Sequence, residues 1–134
     1  MGAMLLLVPL ALTAGCGGDE ESPTAPAPTV VNETFSGTLA PAGSIVHPFR
    51  VSVAGQVDVL LTAVTPNSSL SLTVAVGTWD GTNCTTVTTN TNARQGTIAL
   101  SGNALTGDFC ARISDSGTIP ADTTVSYTLQ INHS

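Results

Sequence analysis

Lysine is missing altogether, and the three basic residues, Arg50, Arg94 and Arg112, lie far apart against a formal net charge of -6. Without a basic patch nothing displaces the counterions of a phosphate backbone, so the sequence argues against nucleic acid and against attraction to anionic headgroups. Charged residues make up only 9% of the chain and aromatic ones 4%. Helical patterns rich in Glu, Lys and Leu are also absent, whereas threonine, serine and valine abound, which favours strands throughout. Histidine is limited to His47 and His133, and there is no Gly-x-Ser-x-Gly elbow, CxxC or HxxxH spacing. A Ser-His-Asp set would have to be assembled from His47, Asp58 and one of many serines, so the chain is not expected to be an enzyme or to hold zinc.

The apolar run Met4–Leu12 is well short of the roughly 20 residues a bilayer-spanning helix needs. It reads as the apolar part of an export signal. The residues that follow, Leu12-Thr13-Ala14-Gly15-Cys16, resemble the lipobox of bacterial lipoproteins, with Thr13 standing where leucine is commonest and no Lys or Arg before the run. That resemblance implies a diacylglycerol on the Cys16 thiol, cleavage before it, and a membrane partner reached through the lipid at the outer membrane or cell surface. The alternatives are an ordinary export signal with an incidental cysteine, or a buried helix. The lack of a basic residue before the run also fits a leader that starts upstream of Met1.

The expected organisation is a signal peptide over 1–15, a lipidated cysteine and Pro-rich linker over 16–30, and one domain over 31–134. The linker has too little apolar surface to order itself and should act as a semi-stiff spacer of about 3 Å per residue. Asp19, Glu20 and Glu21 fit either a solvated linker or a surface-export signal. Of the three cysteines, Cys84 and Cys110 remain once Cys16 is assigned to lipid. In an exported domain such a pair forms a disulfide; two separate buried thiols are the alternative.

The domain reads as short alternating strands. They are expected at Glu33–Leu39, Pro48–Val53, Gln56–Val64, Leu70–Val76, Thr85–Thr89, Gly96–Leu100, around Phe109-Ala111-Ile113, and at Val125–Ile131. Inward rows are Phe49, Val51 and Val53; Val57, Val59 and Leu61; Leu70, Leu72, Val74 and Val76; Ile98 and Leu100; and Val125, Tyr127, Leu129 and Ile131. Ala54-Gly55, Pro66-Asn67, Asp80-Gly81, Ser101-Gly102-Asn103, Thr106-Gly107-Asp108 and Ser116-Gly117 read as turns. Eight such strands predict an all-β antiparallel sandwich of jelly-roll type.

Phe35-Ser36-Gly37-Thr38-Leu39, Phe49-Arg50-Val51, Leu70-Ser71-Leu72, Gly107-Asp108-Phe109 leading into Ala111-Arg112-Ile113, and Ser126-Tyr127-Thr128-Leu129 resemble the bacterial pre-peptidase C-terminal domain. The likeness covers most of Thr34 to Ile131. It implies a β-sandwich module of the kind appended to secreted enzymes and associated with secretion, substrate attachment or adhesion, with calcium held by some related collagen-binding modules. No catalytic domain is expected beside the module here.

Three loop features carry possible chemistry. Trp79, next to Asp80 and Asn83, could stack on a sugar, or else plug the rim of the core. Asp80, Asp108 and Asp115, with Asn83 and Asp122, could offer oxygen to calcium, although none forms a D-x-D-x-D-G run and Asp and Asn serve turns equally well. Arg94 and Arg112 could meet an acidic ligand or be solvated. The expected function is a lipid-anchored, non-enzymatic envelope protein whose sandwich binds a glycan or extracellular protein. The alternative is a structural envelope component that self-associates through exposed sheet edges.

Overall fold

The computed structural model describes residues 29–134, so Cys16, the expected leader and all but the last two residues of the expected linker lie outside the described residues. Eight strands follow in chain order: β1 (Val31–Leu39), β2 (Ser44–Val51), β3 (Gly55–Thr65), β4 (Leu72–Trp79), β5 (Cys84–Ala93), β6 (Thr97–Ala104), β7 (Gly107–Asp115) and β8 (Val125–His133). They form two four-stranded sheets, ordered β1-β8-β3-β6 and β2-β7-β4-β5. Pairing is nested and antiparallel: β1 with β8, β2 with β7, β3 with β6, β4 with β5. It is the pattern of one long hairpin rolled up and closed by β3–β8 and β4–β7. The molecule is therefore an all-β jelly roll.

Alternation decides which side chains meet between the sheets. Val57, Val59 and Leu61, Leu72 and Val74, Ala111 and Ile113, and Val125, Tyr127, Leu129 and Ile131 form the buried core as the periodicity predicts. Pro48 sits in β2 without breaking a ladder because β2 is an edge strand, where a missing N–H costs little.

Several expectations are corrected. Val53 lies beyond β2 in a bend and is exposed, because the chain turns at Ser52 to bring Ser52 and Val53 N–H onto the Ser134 carbonyl (2.9 and 3.2 Å). Leu70 precedes β4 and only packs against the core from a turn. Ile98, expected inside, is 57% exposed. In the β3–β6 ladder Ile98 faces Leu60 and Leu100 faces Val59, so Ala99 is a bulge residue; the extra residue turns Ile98 outward and buries Ala99. A second bulge, at Thr62, brings Val64 into the core, and the freed Val64 N–H donates to the Gln95 side chain at 2.8 Å. Ser101-Gly102-Asn103 is not a turn; β6 runs through it to Ala104. His133, one residue from the C-terminal end of the sequence, is 4% exposed, bonds to Glu33 at 2.6 Å and packs on Phe49.

Candidate functional site

The four strands at the lateral edges of the sandwich divide into two flanks. On one, β1 and β2 are closed by Phe35, His47 and Tyr127: His47 stacks on Phe35 with centroids 5.0 Å apart and meets the Tyr127 hydroxyl at 2.6 Å. Desolvation lowers the pKa of His47 and raises that of Tyr127 to about 12, so a neutral ring and a protonated phenol share this hydrogen bond. The hydroxyl lies over Gly37, where a β-carbon would come within 2.7 Å of it.

On the other flank, between β5 and β6, the two sheets part around a cavity of about 160 Å³. Phe49 and Phe109, stacked with centroids 5.9 Å apart, form its floor together with Val57, Val59 and Val76. Leu100 to Ala104 and Val87-Thr88 form its lips. Gly102 pairs with Val57 and so faces the cavity, yet a β-carbon there would meet nothing within 4 Å. The missing side chain is thus part of what makes the space. Among the described residues no titratable group lines it, and Val87, 77% exposed, extends the apolar surface outward. Such a site can hold an apolar group. The sequence pointed elsewhere, since Gly102 looked like turn punctuation and Phe49 and Phe109 like ordinary core.

A second, shallower hollow of about 350 Å³ lies over β1, β8 and β3, lined by Ser36, Thr38, Thr65, Ser126 and Thr128 among others. Most of its lining residues carry a hydroxyl, set among methyl and ring carbons.

Trp79, Asp80 and Asn83 line neither space. They close the β4–β5 hairpin: the Asp80 carboxylate accepts from Asn83 N–H (2.6 Å) and Thr82 N–H (2.8 Å), bonds that hold its pKa below the ordinary range. Immediately after that turn, Cys84 is disulfide-bonded to Cys110 of β7, with Cα atoms 5.8 Å apart. The bond spans β4 at Gly77, the residue opposite Cys110. A β-carbon on Gly77 would sit 1.9 Å from the Thr85 carbonyl oxygen, so β5 crosses here over bare backbone and brings Cys84 onto Cys110. Arg112 reaches the Cys84 carbonyl at 3.4 Å, and Arg94 is exposed in the β5–β6 turn, its carbonyl accepting from Thr97.

The carboxylates considered for calcium are dispersed. Asp108 and Asp115 begin and end β7, roughly 23 Å apart at strand rise. Asp108 pairs with Arg50 at 3.1 Å. The Asp115 carboxylate is partly desolvated, which raises its pKa, but N–H bonds from Ala42, Ile119, Gly117 and Thr118 outweigh this and hold it low. Among the described residues no three His, Cys, Asp or Glu side chains converge as a metal set. The triad members are apart too: Asp58 bonds to Ser101 and Gln56, whereas His47 bonds to Tyr127.

No family model matches the sequence, and no curated protein matches it. Among solved structures it is similar to the pre-peptidase C-terminal domain of collagenase from Bacillus anthracis, at 19% identity and a TM-score of 0.52, covering 75% of this chain and 89% of that one. The likeness is one of fold: a β-sandwich of the pre-peptidase C-terminal type.

Proposed function

We propose that the chain is a non-enzymatic, lipid-anchored protein of the bacterial cell envelope, acylated at Cys16 and exposed at the outer membrane or cell surface, whose sandwich is a binding module. Its ligand is an extracellular protein that offers an apolar side chain to the β5–β6 cleft. The observation that carries this reading is the empty space in front of Gly102, an apolar cavity open to solvent where a single β-carbon would find no neighbour. A glycan suits that lining less well, since it needs convergent hydrogen-bonding groups.

A screen of matrix proteins and glycans against the full chain and its Gly102→Leu variant tests the proposal. Binding of a protein ligand that the variant loses supports it; a glycan bound equally by both overturns it. Self-association through the free edge of β5, where Val87 projects among threonines, is the second reading, and sedimentation of the ligand-free chain separates the two.

A further inference from the structure

Large apolar side chains left in solvent are unevenly placed. The described residues include six: Val30, Val31, Val53, Val87, Ile98 and Leu105. Strand register gathers four of them at one pole. Val31 faces His133 at the end of β8, and the neighbouring Ser134 carbonyl holds the 52–54 turn through Ser52 and Val53 N–H. Gly55 faces Ala104 and Val51 faces Gly107, so the 52–54 turn and the 105–106 turn lie side by side. Val53 is 46% and Leu105 78% exposed. The opposite pole, formed by the turns after β1, β3, β5 and β7, contributes none of the six.

We infer that this pole is a lipid-contacting face, with Val30, Val31, Val53 and Leu105 resting in the interfacial layer of the bilayer. The inference rests on the lipid-anchor reading above. The chain between Cys16 and Val30 joins the domain at this same pole, where β1 begins, so a tether of at most about 45 Å holds this end toward the membrane and leaves the other free. Four partly exposed aliphatic side chains offer far less than the about 800 Å² per partner that a stable protein interface buries. A tethered surface needs little intrinsic affinity, because the anchor supplies the effective concentration. Of the carboxylates at this end, Asp108 is paired with Arg50 and Glu33 is bonded to His133, while Asp80 in the 80–83 turn stays exposed and ionised, so that turn faces water beside the apolar patch; no lysine is present to seek anionic headgroups. The contact is apolar and works on zwitterionic lipid.

The test is methyl NMR on the full chain in phosphatidylcholine nanodiscs carrying a headgroup-spin-labelled lipid, with acylation read separately by intact mass. Methyl signals of Val31, Val53 and Leu105 are expected to be lost, those of Leu70 and Ile119 near the far pole retained, and the Val53→Ser, Leu105→Ser double variant to recover the Val30 and Val31 signals with Leu129 and Ile131 shifts unchanged. Equal broadening at both poles, loss at the far pole, or lipid-free dimerisation that covers this pole would overturn the inference. If the mass shows no acyl chain, the anchor reading falls. The unacylated chain must then still show weaker loss confined to this pole when mixed with the same discs, and no loss overturns the lipid-contacting face as well.

Discussion

His47 Nε2 on β2 and the Tyr127 hydroxyl on β8 meet at 2.6 Å and join the two sheets across the β1–β2 flank. Because the ring is neutral and the phenol protonated, a single proton lies between them, given by Tyr127 when the ring is the Nδ1–H tautomer and by Nε2–H when it is the other. Tyr127→Phe removes the partner and strands Nε2, and is expected to cost about 1–2 kcal/mol in denaturant unfolding. His47→Phe in the Tyr127→Phe background should cost less than His47→Phe alone, which a double-mutant cycle reads as coupling.

The same pair sets part of the pH dependence. The folded pKa of His47 is lowered, so the unfolded chain binds the proton first. Stability is complete above about pH 6.5 and falls as pH drops through the folded value. A second loss follows below about pH 4, where Asp58, Asp80 and Asp115, all lowered in the fold, take up protons. At the alkaline end Tyr127, pushed up to about 12, holds its proton longer folded than unfolded, so stability declines as pH rises from 10. Chemical denaturation at stepped pH should show all three limbs, and Tyr127→Phe should flatten the alkaline one.

Disulfide Cys84–Cys110 closes a loop with a sequence separation of 26. Loop entropy gives the crosslink about 3–4 kcal/mol of stabilisation, to be read as the drop in unfolding free energy on reduction. Gly77→Ala attacks the same crossing from the other side. Its β-carbon would overlap the Thr85 carbonyl, and a loss of at least about 3 kcal/mol is expected, with slower disulfide formation on refolding.

Filling the cleft should have the opposite sign. Gly102→Leu places apolar atoms against Val57 and Phe109 and is expected to raise stability by about 1 kcal/mol while abolishing fluorescence enhancement of an apolar dye. An unchanged dye signal would mean that the dye binds elsewhere.

Ala42 is held at φ 60 in the β1–β2 turn, where Gly43 N–H reaches the Ala40 carbonyl at 2.8 Å. That turn needs a left-handed residue at its third position, so Ala42→Gly should stabilise by about 0.5–1 kcal/mol in thermal or chemical unfolding.

Strand count, fold class and most of the core were legible because a two-residue period survives wherever pairing is regular, as in β8 from Val125 to Ile131. It failed where one residue was inserted. Nothing in Thr97-Ile98-Ala99-Leu100 announces that Ala99 is a bulge, because the reason lies in its pairing with β3, more than 30 residues away. The cleft was hidden for a related reason: Gly102 inside a strand looks the same in sequence as Gly102 in a turn. Trp79 drew attention as a rare aromatic, yet its place is the end of a hairpin that the disulfide secures.

The two long sides of the sandwich are sealed unequally. Stacked rings join β1 to β2 and a half-buried hydrogen bond ties β2 to β8, while β5 and β6 leave a gap over the phenylalanines. The molecule is bound like a book, with its spine along the aromatic side and its pages free on the other. Transient opening should swing about that spine, exposing amides of β5 and β6 to exchange well before those of β1 and β8, and making the loose leaves the first place a protease cuts.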